Sequence, residues 1–271
     1  MKTKIGKDFS YFIGLAQTDG HLRKHTRNRG RFTIELQYRD RDIIYNIAKF
    51  ISYNYMIFSR TRDNIKLNGR TYNNKRYIGL RTCNREFRDF LCYCGVPYGR
   101  KSKLIKPPLY LEDLSIKDYI RGLYDGDGSI GLTADNFPFV SITTQSRSIR
   151  DFLINYISEK TGKPFKIVNK PKRDDVYNIM VTREDAVILA KDLYYKKCLS
   201  IQRKYKKAQK IKEWVRPKWM KTRGYLKRWT KEDDDYLLFH TLEESMKKLN
   251  RTFSGVQMRK LRLTLKNRKW R

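Results

Sequence analysis

Between Arg31 and Gln37 hydrophobic and polar residues alternate without a break: Phe32, Ile34 and Leu36 fall on one face, Arg31, Thr33, Glu35 and Gln37 on the other. A period of two predicts a strand with one face against a core. After Asp40 the period lengthens. Ile43, Ile44, Ile47, Phe50 and Ile51 recur at helical spacing, with Asp40 placed as N-cap. The same sequence of patterns returns later. Val140 and Ile142 sit in a strand-like run, and Ser146 precedes Ile149, Phe152, Leu153, Tyr156 and Ile157 as a second N-cap. Each copy carries a further strand pair, around 64–68 with 76–82 and around 164–169 with 176–182. Each copy thus reads helix, hairpin, helix, hairpin, helix.

The strongest sign of repetition precedes each strand run. Tyr11-Phe12-Ile13-Gly14-Leu15-Ala16-Gln17-Thr18-Asp19-Gly20 is matched by Tyr119-Ile120-Arg121-Gly122-Leu123-Tyr124-Asp125-Gly126-Asp127-Gly128, with Tyr, Gly, Leu, Asp and Gly at a constant offset of 108. Both read as helices. Asp8 or Ser10 starts the first, and Ser115-Ile116-Lys117-Asp118 is a capping-box pattern for the second. Gly14 and Gly122 then lie inside helices, where glycine costs about 1 kcal/mol against alanine. A repeated costly residue suggests close backbone approach, so the two helices are expected to pack on each other through these glycines. Gly20 and Gly128 are expected to end the helices as C′ residues. The fold class is α+β: two pseudo-symmetric αββαββα halves, residues 1–108 and 109–213, packed through their motif helices.

Composition narrows the partner. Of 271 residues 39% are hydrophobic and 13% aromatic, too many for a disordered chain, while the net charge is +33. Residues 214–271 hold 17 Lys/Arg against 6 Asp/Glu, and residues 1–213 hold 44 against 22, so the charge is not confined to a tail. Charge of this density calls for a polyanion, with nucleic acid ahead of a membrane surface. No run of 18 apolar residues predicts a transmembrane helix, and MKTKIGKDFSYF holds no apolar run of secretory length. Cys83, Cys92, Cys94 and Cys198 form no spaced zinc pair and fit a reduced, intracellular compartment: cytoplasm, or an organelle or nucleoid holding DNA. Basic loops cluster at 23–31, 60–70 and 169–175.

The repeated aspartates carry the candidate chemistry. Asp19 and Asp127 would stand at helix C-termini, where the macrodipole disfavours a carboxylate. Two such ends packed together would also repel. A divalent cation resolves both conflicts, and hard oxygen ligands suit Mg²⁺, with the backbone carbonyls of Thr18 and Gly126 as further candidates. Such an ion beside a phosphodiester makes hydrolysis the natural reaction. The EF-hand alternative for Asp125-x-Asp127-x-Ser129 fails, because position six is Ile130 and position twelve Asn136.

FIGLAQTDG (12–20) and IRGLYDGDG (120–128) resemble the nine-residue signature of the LAGLIDADG homing endonucleases in their single-chain, two-motif form. The resemblance runs over roughly residues 5–213. It implies that the motif helices form the interface between halves, that Asp19 and Asp127 bind the catalytic metals, and that two sheets form a saddle over the DNA major groove. Gln17 departs from the pattern where Asp125 keeps it. The family also places a lysine late in each copy. GVPYGRKSKLIKPP (95–108) and CLSIQRKYKKAQK (198–210) resemble those regions, giving Lys101 and Lys204 as catalytic candidates, with Lys103 and Lys206 as near alternatives. The implied DNA contacts are Arg23, Lys24, Arg27, Arg29, Arg31, Thr33, Glu35, Gln37, Arg60, Arg62, Lys66, Arg70 and Arg76 in the first half. In the second they are Ser141, Thr143, Lys166, Lys170, Lys172 and Arg173.

Beyond a basic linker at 214–227, residues 228–271 show three helix starts: Thr230-Lys231-Glu232-Asp233, Thr241-Leu242-Glu243-Glu244 and Ser254-Gly255-Val256-Gln257. With the Asn250-Arg251-Thr252 turn they read as a helix-turn-helix-like DNA-binding module resembling Myb/SANT-like units, although Trp229 alone of the usual tryptophans is present. Gln257, Arg259, Lys260 and Arg262 would face DNA. The expectation is a monomeric, Mg²⁺-dependent, site-specific endonuclease, Mn²⁺ being able to substitute, acting on long, non-palindromic double-stranded DNA. The alternatives are an RNA-binding intron maturase and a non-catalytic DNA-binding regulator on the same scaffold.

Overall fold

A computed structural model of the chain describes residues 5–24, 29–62, 65–67, 70–72, 75–165, 175–220 and 229–268, with side chains described outside 62–74 and 265–268. Two compact units result, Met1–Arg216 and Pro217–Arg271. The first is a mixed helix and antiparallel-sheet fold. Helix α1 (Lys7–Thr18) leads into strands β1 (Gly20–Lys24) and β2 (Gly30–Gln37), a 3-10 turn, and helix α2 (Arg41–Ala48). Strands β3 (Met56–Arg62), β4 (Ile65–Leu67), β5 (Arg70–Tyr72) and β6 (Lys75–Thr82) precede helix α3 (Arg85–Tyr93). The chain continues as α4 (Ile116–Asp127), β7 (Gly128–Leu132), β8 (Pro138–Thr144), α5 (Arg147–Thr161), β9 (Tyr177–Thr182), α6 (Glu184–Leu193) and α7 (Gln202–Lys212).

The offset of 108 survives in the pairing register. Gly20 faces Ile34 across β1 and β2, and Gly128 faces Ile142 across β7 and β8. The first sheet runs β1-β2-β6-β3 and the second β7-β8-β9. In both, alternate residues enter one core. Leu22, Phe32, Ile34, Leu36, Ile78 and Leu80 bury in the first, and Ile130, Val140, Ile142, Ile179 and Val181 in the second. Rings of Phe9, Phe12, Phe32 and Phe87 pack edge-on and stacked beneath the first sheet.

Several local expectations are corrected. The first-copy hairpin is longer than a 64–68 with 76–82 pair: β3 pairs with β6, and β4 with β5. The two pairs share one register, Arg62 opposite Lys75 and Ile65 opposite Tyr72. The partner expected near 164–169 falls largely on 166–174, outside the described residues. Helix α1 begins at Lys7 behind Gly6, not at Asp8 or Ser10. Asp40 occupies the N-cap of α2 but makes no capping bond; its carboxylate is taken by Arg203 at 3.1 Å. Ser146 does cap α5 through Ile149 N at 3.2 Å. Ser115 donates to Asp118 instead of forming a full capping box. Gly20 and Gly128 are not left-handed C′ residues; they open β1 and β7. Their lack of a side chain answers crowding, since a Cβ would stand 2.5 Å from Ala16 O or Tyr124 O respectively.

The unit Pro217–Arg271 holds α8 (Lys231–Phe239), α9 (Leu242–Leu249) and α10 (Phe253–Arg268) around Leu237, Leu249 and Val256. Thr230 and Thr241 complete capping boxes with Asp233 and Glu244. The third helix starts one residue before Ser254, with Thr252 Oγ1 accepting from Gly255 N at 3.3 Å. Of the linker expected at 214–227, residues 221–227 lie outside the described residues. Among the described residues no helix is long and apolar enough to cross a membrane.

Candidate active site at the ends of two crossing helices

Helices α1 and α4 cross where neither has a side chain. A Cβ on Gly14 would stand 2.1 Å from Tyr119 O, and one on Gly122 would stand 2.1 Å from Tyr11 O. Two backbones in contact leave room for nothing larger, which accounts for glycine inside both helices. The crossing brings their C-terminal ends together. Gly126 of α4 lies so near α1 that a Cβ there would meet Thr18 Oγ1 at 1.9 Å and Asp19 Oδ2 at 2.7 Å.

Each helix reaches across to the other through its motif tyrosine. Tyr11 Oη donates to Asp125 Oδ2 at 2.8 Å, and Tyr119 Oη donates to Gln17 Oε1 at 2.6 Å. Tyr11 and Tyr119, like Gln17 and Asp125, are 108 apart. The departure at Gln17 now has a cause. Behind Asp125 stand donors, Tyr194 Oη at 2.8 Å and Ile201 N at 2.7 Å, which suit a carboxylate. Behind Gln17 stand the carbonyls of Gly95 and Lys106, at 2.8 and 2.9 Å, which need an N–H donor. Gly95, at φ +83°, lies close enough that its Cβ would meet Gln17 Nε2. Position 17/125 is therefore a packing and hydrogen-bonding position in both copies.

Asp19 and Asp127 stand at the two helix ends. Burial lifts the Asp19 carboxyl to about 6, the Asp127 charge adds to the rise, and Lys101 and Lys204 oppose it. Burial likewise raises the Asp127 carboxyl above its ordinary value, again against the pull of both lysines. Asp127 makes no hydrogen bond or ion pair among the described residues, and Asp19 has only a long contact from Thr18 Oγ1 at 3.4 Å. These are two carboxylates with free lone pairs facing a shared space.

Lys101 and Lys204 come to the same helix ends, whereas Lys103 pairs with Asp175 and Lys206 is exposed. Lys101 Nζ donates to Ala16 O at 2.9 Å and Thr18 O at 2.7 Å. Lys204 Nζ donates to the carbonyls of Tyr124, Asp125 and Gly128 at 2.7, 2.6 and 2.8 Å. Ala16 and Tyr124 are again 108 apart. A cation on terminal carbonyls offsets the negative end of the macrodipole, and here it arrives from distant sequence. Burial pulls both ammonium groups down to about 8. Thr18 O, expected as a metal ligand, thus already accepts from Lys101, while Gly126 O accepts from neither lysine.

The residues fit a divalent cation in part. Two hard carboxylates are present, Asp19 held only by the long Thr18 contact, and among the described residues no cluster of three or more His, Cys, Asp or Glu could hold the ion alone. A bound phosphate would have to complete the shell.

Of the expected DNA contacts, Arg23, Arg31, Thr33, Glu35, Gln37 and Arg60 alternate to the open face of the first sheet, Glu35 ion-paired with Arg60 at 2.7 Å. Lys24 and Arg76 alternate to the other side, beyond the core, and Arg76 lies 3.9 Å over the Tyr38 ring. Arg29 is exposed just before β2. Ser141 and Thr143 lie on the open face of the second sheet. Arg27, Lys166, Lys170, Lys172 and Arg173 are outside the described residues, as are the side chains of Arg62, Lys66 and Arg70. Sequence reasoning missed Phe58, Tyr77 and Arg81, which share the first open face; the alternation of Ile78, Leu80 and Thr82 held the signal. In the C-terminal unit Arg259 pairs with Asp234 and Lys260 donates to His240 O, so both are used inside the unit. Gln257 and Arg262 are exposed.

Residues 115–193 match the LAGLIDADG-like domain family. No curated protein matches the chain. Solved structures similar to it include the homing endonuclease I-WcaI bound to its DNA recognition sequence, 16% identical over 74% of this chain and 85% of that one, TM-score 0.49. The LAGLIDADG meganuclease I-AabMI bound to uncleaved DNA is 12% identical over 74% and 87%, TM-score 0.45. Full-length DUF199/WhiA from Thermotoga maritima is 14% identical over 94% and 89%, TM-score 0.44. At such identities and scores these similarities carry no activity over to this chain.

Proposed function

We propose that the chain is a single-chain, two-motif DNA endonuclease of the LAGLIDADG type, with residues 1–108 and 109–213 as pseudo-symmetric halves. The observation that carries this reading is the pair of carboxylates at the apposed ends of two crossing helices, Asp127 unpartnered and Asp19 held only by Thr18 Oγ1 at 3.4 Å. Asp19 and Asp127, with Gly126 O, would hold a divalent cation, Mg²⁺ or Mn²⁺. When bound, the ion supplies Lewis acidity at the phosphate and a more acidic water. The chain's own part is positional. Gly14 and Gly122 set the spacing of the carboxylates, and Lys101 and Lys204 hold the helix ends against their own dipoles. The net charge of +33 and the open first sheet supply phosphate affinity. The C-terminal unit is assigned as an accessory DNA-binding module, presenting Gln257 and Arg262. The target is long, double-stranded and not palindromic, because the halves differ, and the chain acts as a monomer inside the cell.

The test is incubation of the full chain with Mg²⁺ and the genomic neighbourhood of its own gene, cloned without the gene. One discrete double-strand cut, absent in the Asp19→Asn/Asp127→Asn double variant, is expected. Tight binding without cutting under Mg²⁺ and Mn²⁺ would instead establish a non-catalytic DNA-binding regulator, or a maturase if intron RNA is preferred. A specific observation favours the regulator as second reading: both lysine ammonium groups are engaged by helix carbonyls.

A further inference from the structure

The two open sheet faces differ in chemistry although their registers correspond. On the first, Arg23, Arg31 and Arg81 stand among Thr33, Gln37 and Tyr77, with Arg60 ion-paired to Glu35. On the second, the outward positions of the described strands carry no charged side chain. Phe139, Ser141 and Thr143 of β8 face Thr182, Met180 and Asn178 of β9 in direct register. All six are exposed or half-exposed. Among the described residues none of their polar side-chain atoms is engaged within the chain. The Phe139 ring lies beside Gly131, its partner in register on β7, 3.4 Å from where a Cβ would stand. This is a shaped surface of hydroxyls, one amide and two apolar groups, free of intramolecular partners.

Major-groove edges discriminate between such surfaces. Guanine offers two acceptors that favour Arg or Lys, adenine an acceptor and a donor that match Asn or Gln, and thymine a methyl that favours apolar contact. We infer that the sheet β7-β8-β9 reads an A·T-rich half-site, while the guanine-reading part of the target lies under the arginine-bearing sheet β1-β2-β6-β3. Asn178 is the adenine reader, Phe139 and Met180 meet thymine methyls, and Ser141, Thr143 and Thr182 adjust to either base. The target is therefore lopsided in composition. This inference rests on the proposed DNA-binding reading and adds the class of sequence bound.

The experiment is selection of the full chain on a randomised duplex library without divalent ions, so that nothing is cut. The wild-type chain is expected to enrich a site with one A·T-rich arm and one arm containing G·C pairs. Asn178→Ala should relax the preference for one A·T pair in the first arm about tenfold and leave the other arm unchanged. Thr143→Arg, on an exposed position, should bring guanine into the A·T-rich arm. Arg31→Ala should change only the other arm. G·C pairs enriched equally in both arms, or Asn178→Ala and Thr143→Arg leaving both arms unaltered, would overturn the inference while the DNA-binding reading stood. Enrichment of no sequence at all would overturn both.

Discussion

The end of α1 and the end of α4 solve one problem with different parts. Both finish on an aspartate, both receive a lysine on their last carbonyls, and both are tied across the interface by a tyrosine. In the first half the lysine rises from a turn, remains partly exposed, holds two carbonyls and has neutral Gln17 behind it. In the second it sits on α7, is almost wholly buried, holds three carbonyls and has the buried Asp125 carboxylate behind it. The difference teaches that the lysine and position 17/125 vary as a set with their surroundings, whereas Asp19, Asp127, Gly14 and Gly122 do not. The invariant pieces are those the metal reading requires, and the varied pieces are those that hold the helices in place.

The largest expected effect falls on the invariant pieces. Asp19→Asn or Asp127→Asn should each lower cleavage by about 10³-fold, the several kcal/mol of charge stabilisation such an ion supplies, in single-turnover assays with DNA binding retained. Gly14→Ala and Gly122→Ala each drive a methyl into a facing carbonyl. Each should destabilise the chain by about 3 kcal/mol or more, read as a fall of roughly 10 °C in the melting midpoint.

The varied pieces should respond unequally. Lys204→Met leaves Asp125 and three carbonyls buried without their cation and should destabilise by about 3 kcal/mol. Lys101→Met, partly exposed, should cost about 1 kcal/mol. Equal melting shifts would erase the distinction between the halves. Gln17→Glu points a second oxygen at the carbonyls of Gly95 and Lys106 and should cost about 2 kcal/mol. The smallest effect concerns pH. Because the Asp19 carboxyl stands near 6, protons compete with a divalent ion there, and ion affinity should fall as pH drops from 7 to 5. Stability of the metal-free chain runs the other way. A carboxyl raised in the folded state favours folding at low pH, and that contribution disappears as pH rises through about 6. Opposite slopes in ion titration and in thermal melting check the sign.

Much of this was legible in the chain. The motif glycines announced the crossing because a helix interior tolerates glycine poorly without a close neighbour, and alternation along 31–37 gave the open face directly. What escaped depends on contacts distant in sequence. Gln17 reads as a lapse until Gly95 and Lys106 are placed behind it. Asp40 reads as a cap because nothing local reveals Arg203, 163 residues away. Gly20 and Gly128 resemble helix terminators, and only packing shows that Ala16 and Tyr124 are what they avoid. Arg259 and Lys260 look like a recognition surface because the pattern cannot tell an outward cation from one held by Asp234 or His240.

The central claim is that Asp19 and Asp127 together hold a divalent ion, and Mn²⁺ titration followed by electron paramagnetic resonance tests it most directly. Wild-type chain bound to duplex DNA should take up Mn²⁺ beyond what the duplex alone binds, and the Asp19→Asn/Asp127→Asn chain on the same duplex should not. Equal uptake by both chains would contradict the assignment.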